Sequence, residues 1–506
     1  MAEQAGRGSL ASQRDRVGGP ATADGGPRFI IIGAGMAGVL SAIRLQEAGL
    51  TNFTIYEKAD TLGGTWRENT YPGVACDVPS HLYSYSFAPN PGWSHVFSPG
   101  EEIFAYFRNV ASRYGVESRI HYGAEVSTLE WRDGYWHMEA SNGETDEAEF
   151  VIAATGVLHH PKYPDIKGLD TFRGPAFHSA RWDHSVSLAG KRLGIIGTGS
   201  SGVQIASATV GEVAHLDLFQ RTAQWILPLP NPEITAEDQE TYRNDPNAMS
   251  MHRKELAQTF ERYFANAVVD ADSPEVKMLE TLCRNNLEEN VKDPELREKL
   301  RPDYRAACKR LVMSPSFYEA IQKPNASLVT SGIDHVEAGG VVTADGALHE
   351  LDVLALATGF RVDRFLRPMD VIGRGGVLLD DVWKERPSAY MSLAVPEFPN
   401  LFMLNGPNGP VGNFSLIDVA ELQFSYVMQL VDLVCSGRAR GVNATRDALE
   451  RFEADRLEAA KKTIWVTGCK SWYLDDRGIP SAWPWGFDHF RERMAAPVIS
   501  DYELVA

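Results

Sequence analysis

No run of 18 apolar residues occurs anywhere in the 506-residue sequence, so no membrane-spanning helix is expected. Residues 1–27 lack the apolar segment of a secretory signal; rich in Gly, Ala and charge, they read as a disordered tail. Cysteine is sparse. The five residues Cys76, Cys283, Cys308, Cys435 and Cys469 include no CxxC and no metal-ligand spacing. That argues against a disulfide scaffold, a zinc site or any other metal, and a dithiol flavin reductase, and it fits a reducing cytoplasm. Positive charge is also short, with 49 Lys and Arg against 67 Asp and Glu and a net charge of -18, which disfavours nucleic acid or an anionic membrane as main partner. What remains is an acidic chain whose 44% hydrophobic content and length suit an enzyme of two to four domains.

Two glycine turns organise the chain. In "RFIIIGAGMAGVLSAIRLQEAGL" an apolar β-branched strand turns through Gly33, Gly35 and Gly38 into an Ala/Leu-rich helix. The next strand, "FTIYE", ends at Glu57, 24 residues after Gly33. Missing side chains let backbone N–H groups and the helix start approach a pyrophosphate, and Glu57 can accept from ribose hydroxyls. The pattern recurs in "KRLGIIGTGSSGVQIASATV" with Gly197, Gly199, Ser200, Ser201 and Gly202. Here the position 24 residues after the first glycine is Arg221, followed by Thr222. A carboxylate repels a 2′-phosphate and a guanidinium binds one, so the first unit reads as an FAD site and the second as an NADP(H) site.

The fold class is therefore α/β, with two Rossmann-like dinucleotide-binding domains and a helical subdomain inserted in the NADPH unit. Two "ATG" turns, Ala154–Gly156 and Ala357–Gly359, each end an apolar strand and mark where the chain crosses between domains. The expected division is an FAD-binding part at 28–158, linker and NADPH-binding part at 159–232, helical subdomain at 233–305, NADPH-binding part at 306–359 and the rest of the FAD domain at 360–506. The helical reading of 233–305 rests on its charge pairing, its few strand signals, and a length too great for a loop.

"GGTWRENTYPGVACDVPSHLYSYSF" and "FRGPAFHSARWDHS" then complete a set of motifs. With the glycine turns, they make the chain resemble class B flavin monooxygenases, and within these the type I Baeyer–Villiger monooxygenases, over about residues 28 to 490. The family pattern F-x-G-x-x-x-H-x-x-x-W-P/D is met by Phe172, Gly174, His178, Trp182 and Asp183. A second, G-G-x-W-x-x-x-x-Y/F-P-G-x-x-x-D, is met by Gly63, Gly64, Trp66, Tyr71, Pro72, Gly73 and Asp77.

The resemblance implies that NADPH reduces FAD, that O2 gives a C4a-peroxyflavin anion, and that this attacks a ketone carbonyl to yield an ester or lactone. The alternative is a sibling that oxygenates nitrogen or sulfur through the protonated hydroperoxide. Trp182–Asp183 and the pair Lys309–Arg310, with Phe317 and Tyr318 following, favour the ketone reaction by resemblance. So read, Arg310 stabilises the oxygen anion, Asp77 orients Arg310, and Lys309 joins Arg221 on the 2′-phosphate. Gly64, Thr65 and Trp66 would lie with Asp77 on FAD. His178 is cast as a hinge residue rather than an acid–base catalyst, and Cys76 as packing.

"GCKSWYLDDRGIPSAWPWGFDHF" resembles a mobile aromatic loop, near 468–486, that closes Trp472 over nicotinamide; Trp472, Tyr473, Trp483 and Trp485 read equally as core or as an oligomer contact. Asn405, Gly406 and Asn413 are candidates for FAD or substrate contact, or a plain loop. The expected small-molecule partner is a ketone, and the chain a monomer or homodimer.

Overall fold

The computed structural model describes residues 26–412 and 414–505, so the tail expected at 1–27 and the candidate Asn413 lie wholly or mainly outside the described residues. Two five-stranded parallel sheets carry the two glycine turns. The first runs Leu401–Met403, Phe150–Ala153, Phe29–Ile32, Phe53–Glu57, Ile120–Tyr122. Its central strand FIII is buried at every position, as expected of a strand covered on both faces. The second runs Ala326–Val329, His215–Phe219, Arg192–Ile196, Val353–Leu356, Ala176–His178. Each sheet sends its glycine turn into a helix, Met36–Glu47 in one and Ser200–Thr209 in the other. The α/β reading with two Rossmann-like units holds.

The strand Ala176–His178, at the start of the signature stretch, is an edge strand of the second sheet. A separate sheet of Val126–Arg132, Tyr135–Ala140, Thr145–Ala148 and Asp370–Ile372 brings Trp136, Met138 and Val371 into one core with Ile30, Ile32 and Val151 of the first sheet. Residues 236–299 form the helices Ala236–Asn244, Pro246–Phe260, Pro274–Asn290 and Pro294–Lys299. Their starts follow capping rules closely. Thr235, Asp245, Ser273 and Asp293 accept from first-turn N–H groups, and the last three precede a proline, whose fixed φ suits the first helical position.

This helical stretch is pinned to the first unit by Arg253, which donates to the carbonyls of His81, Leu82 and Ser84 and to the Asp418 carboxylate. Asp418 stands in the first turn of the long helix Leu416–Cys435. Burial pushes the Asp418 carboxyl up to about 7 even with Arg253 beside it. Among the described residues no helix is long and apolar enough to cross a membrane.

Candidate active site

The first glycine turn is built for close approach. Gly33 has φ +100, and a methyl group at Gly38 would overlap the Gly33 carbonyl. Gly64 (φ +52) presses its backbone toward Gly35, where an added Cβ would lie 3.1 Å from the Gly35 Cα. Glu57 is more occupied than its ribose role suggests. Its carboxylate accepts from Ala34 N (2.8 Å) and Ala59 N (3.0 Å) and pairs with Arg67 (3.1 Å), bracing the turn. Thr65 opens a short helix beside it, and Trp66 is buried, with its indole N–H donating to Tyr83 Oη (3.2 Å). The helix after this turn starts at Gly35 without a side-chain cap, as the second does at Gly199, whereas the helices of 236–299 are all capped. Uncapped first-turn N–H groups beside collapsed glycines fit a pyrophosphate. Asn405 adds a second sign: its side-chain oxygen is buried without a partner among the described residues, two residues past the strand Leu401–Met403 of the same sheet.

The two glycine-turn units touch. Gly73 lies so near the second unit that an added Cβ would sit 2.8 Å from the Gln204 carbonyl and 2.9 Å from Ala208. Tyr71 Oη donates to Gln204 (2.8 Å) and accepts from Ser201 Oγ (3.0 Å), so Ser201 serves this junction. Arg221 and Thr222 line a cleft of about 520 Å³ with Arg301, Asp303 and Thr330. Within it Arg301 pairs with Glu288 and Lys299 with Glu295, but neither Arg221 nor Lys309 has an ion pair among the described residues. Lys309 lies over the Tyr304 ring (4.5 Å), its pKa lowered by burial and then by the Arg221 charge. Two cations held near each other, neither of them ion-paired among the described residues, fit a phosphate.

Arg310 is held by three hydrogen bonds. Its Nε and Nη2 donate to the two Asp77 oxygens, each at 2.6 Å, and Nη1 donates to the Gly412 carbonyl (2.7 Å). The pair is about a quarter exposed, Arg310 at 27% and Asp77 at 26% of the side chain. Burial opposes the Arg310 charge, yet Asp77 and Tyr473 raise its pKa above the ordinary value. Burial likewise works to raise the Asp77 carboxyl, but the Arg310 charge and hydrogen bonds hold it below the usual carboxylate range. Cys76 beside them is a buried thiol pushed up by burial, consistent with packing.

The signature stretch lies apart from Arg310. His178 is buried; its Nε2 donates to the Gly359 carbonyl (2.9 Å) and Nδ1 accepts from Ala180 N (3.1 Å), so the ring is neutral, and burial lowers its pKa. Arg181 pairs with Glu68 and His184 meets Thr70 (2.8 Å), so the stretch clasps the first unit. Gly174 is required because a Cβ there would overlap the Asp352 carbonyl; Phe172 packs in the adjoining core. Trp182 stacks edge-on against Phe177 (4.7 Å), and exposed Asp183 caps its own turn through Ser185 (2.9 Å).

The sequence reading names Tyr473 and Trp472 among four aromatics but gives Tyr473 no place beside Arg310. Tyr473, buried with its pKa raised by burial, puts its hydroxyl 3.4 Å from the same Gly412 carbonyl that Arg310 meets, while Trp472 stacks on the Tyr473 ring (4.1 Å) and is only half-buried. Tyr473 and Trp483 are core residues, settling two of the four aromatics left open. The cysteine reading needs correction: Cys308 and Cys469 form a disulfide across a separation of 161 residues. Spacing rules read local pairs, and no local signal marks two cysteines brought together only by the fold.

A family model for pyridine nucleotide-disulphide oxidoreductase matches residues 30–281. A Baeyer-Villiger monooxygenase of Streptomyces coelicolor is 38% identical over 490 residues, covering 94% of this chain and 92% of that protein. Cyclohexanone monooxygenase from Rhodococcus sp. Phi1, solved with NADP+ bound, superimposes with a TM-score of 0.85 at 30% identity, covering 95% of this chain and 99% of that one. OTEMO in complex with FAD and NADP does so at 0.86 and 27%, with the same coverage.

Proposed function

The chain belongs to the type I Baeyer–Villiger monooxygenases, FAD-containing and NADPH-dependent, and we propose that its first glycine turn holds FAD, its second holds NADPH, and Arg310 with Asp77 forms the reacting centre for a small ketone. Bound FAD, reduced by NADPH, supplies the activated oxygen that this chain cannot make from its own side chains. The observation that carries the reading is the Arg310–Asp77 pair: a permanently charged donor fixed by a two-point carboxylate clamp at 2.6 Å. A fixed cation, three-quarters buried, favours the deprotonated oxygen nucleophile and the oxyanion that follows carbonyl attack. Asp77 orients the guanidinium and moderates its field. A lysine would be a weaker choice, since burial lowers its pKa as it does for Lys309.

Arg221 and Lys309 take the 2′-phosphate, and Gly197, Gly199, Ser200 and Gly202 the pyrophosphate. His178, through its bond to Gly359, ties the signature stretch to the second chain crossing. The domain division at 28–158, 159–232, 233–305, 306–359 and 360–506 follows these roles, with the enzyme acting in the cytoplasm as a monomer or homodimer. The deciding experiment is aerobic NADPH oxidation against matched ketone, amine and sulfide substrates, with product mass and released peroxide followed together. Ester or lactone from the ketone is expected. Oxide from the amine or sulfide, with none from any ketone, overturns the reading.

A further inference from the structure

The disulfide joins the two parts of the site that matter most for closure. Cys308 directly precedes Lys309 and Arg310; Cys469 lies three residues before Trp472 and four before Tyr473. Both sulfurs sit in one apolar cluster with Trp225, Leu311, Trp465 and Tyr473. From there Tyr473 extends to the Gly412 carbonyl that Arg310 also meets, and the Trp465 and Trp472 rings pack against the Tyr473 ring at 5.2 Å and 4.1 Å. The far half of this stretch is tied to its surroundings: Trp483 N donates to the Gly409 carbonyl (3.0 Å), Asn408 Nδ2 to the Ser481 carbonyl (3.2 Å) and buried Arg456 to the Pro480 carbonyl, and Arg477 pairs with Glu385 (3.3 Å). The near end is held covalently.

We propose that the Cys308–Cys469 disulfide is a redox latch that positions the aromatic segment 468–486 over the Lys309–Arg310 pair, with Tyr473 as the positioning residue it delivers to Arg310. In the disulfide form Tyr473 and Asp77 bracket the guanidinium and the segment excludes water. In the dithiol form the segment opens and Arg310 keeps only Asp77 and Gly412. The switch is thiol–disulfide exchange with a dithiol reductant. One reductant thiolate attacks Cys469 Sγ, the less buried of the two (6% against 0% exposed), forming a mixed disulfide and expelling Cys308 as a thiolate, which takes up a proton. The reductant's second thiol then displaces Cys469, which is protonated in turn. Two electrons and two protons pass to the enzyme, and the reductant closes to its own disulfide; a disulfide oxidant drives the reverse.

The consequence for oxygen use rests on the function proposed above, but the latch itself does not. Non-reducing peptide mapping of the FAD-loaded enzyme, oxidised and after dithiothreitol, reads the bond, with exposed Cys435 as the labelling control. Limited proteolysis reads the segment, and peroxide released per NADPH consumed reads the closure. The expected results are a linked 308–469 peptide in the oxidised form, cleavage within 468–486 at least about tenfold faster after reduction, and peroxide release raised several-fold at unchanged flavin content. Cys469→Ser should match the reduced enzyme under both conditions, and Tyr473→Phe should raise peroxide release with the disulfide intact. Absence of the linked peptide, or Cys469→Ser cleaved and coupled like the oxidised wild type, overturns the latch. NADPH oxidation yielding no ester in either form would instead overturn the functional reading, while mapping and proteolysis still decide the latch.

Discussion

Arg221→Ala isolates one interaction that a second cofactor lacks. Arg221 stands exposed at a strand end, 24 residues past Gly197, with Lys309 as its neighbour and no ion pair among the described residues. A charge-assisted hydrogen bond contributes about 1.5–3 kcal/mol, and the open position together with the remaining Lys309 puts this one at the lower end, about 1.5–2 kcal/mol. At about 1.4 kcal/mol per decade, the Michaelis constant for NADPH should rise roughly 10- to 30-fold. NADH has no 2′-phosphate, so its constant should move less than about twofold. Steady-state oxidation of both cofactors, with ketone saturating, measures the two on one preparation. Equal rises for NADPH and NADH would refute the assignment of Arg221 to the phosphate and, with it, the assignment of the second turn to NADP(H).

The other expectations concern the same few charges. Because burial and Arg221 lower the Lys309 pKa, its charge is lost as pH rises through a value below the usual lysine range; the NADPH Michaelis constant should climb on that alkaline limb while the NADH constant stays flat, and Lys309→Arg should flatten the climb. A limb that persists in Lys309→Arg would assign the titration elsewhere. Asp77→Asn keeps shape and one acceptor but leaves Arg310 without its counter-charge, a loss of about 3 kcal/mol for a pair this buried. The flavin-loaded protein should melt at a lower temperature and turn over ketone at least about tenfold more slowly; wild-type melting and turnover would make Asp77 a bystander.

Much of this site was legible because its motifs are local. A glycine turn between an apolar strand and a helix states its own geometry, and the exchange of Glu57 for Arg221 at matching distance separates two cofactors by charge alone. Charge pairing, few strand signals and sheer length made 233–305 readable as helices. What the sequence could not show was contact between distant segments. Glu57 turned out to brace its own turn through Ala34 and Ala59, and Ser201 to serve Tyr71 across the junction, because hydroxyl and carboxylate partners are chosen by the tertiary fold. Tyr473 was hidden by its neighbour: nothing in "KSWYLDD" says which aromatic points at Arg310. The cysteines mislead for the same reason, since a bridge over 161 residues has no spacing signature.

The central claim is that the Arg310 cation, held by Asp77, is what lets this chain convert a ketone to an ester. Arg310→Ala, purified with its flavin and assayed for ester under saturating NADPH, tests it directly. Removing one preorganised charge donor costs about 100- to 1,000-fold in turnover, so ester formation should fall by that factor, with flavin content unchanged and NADPH still bound. Ester formed at near wild-type rate would contradict the claim.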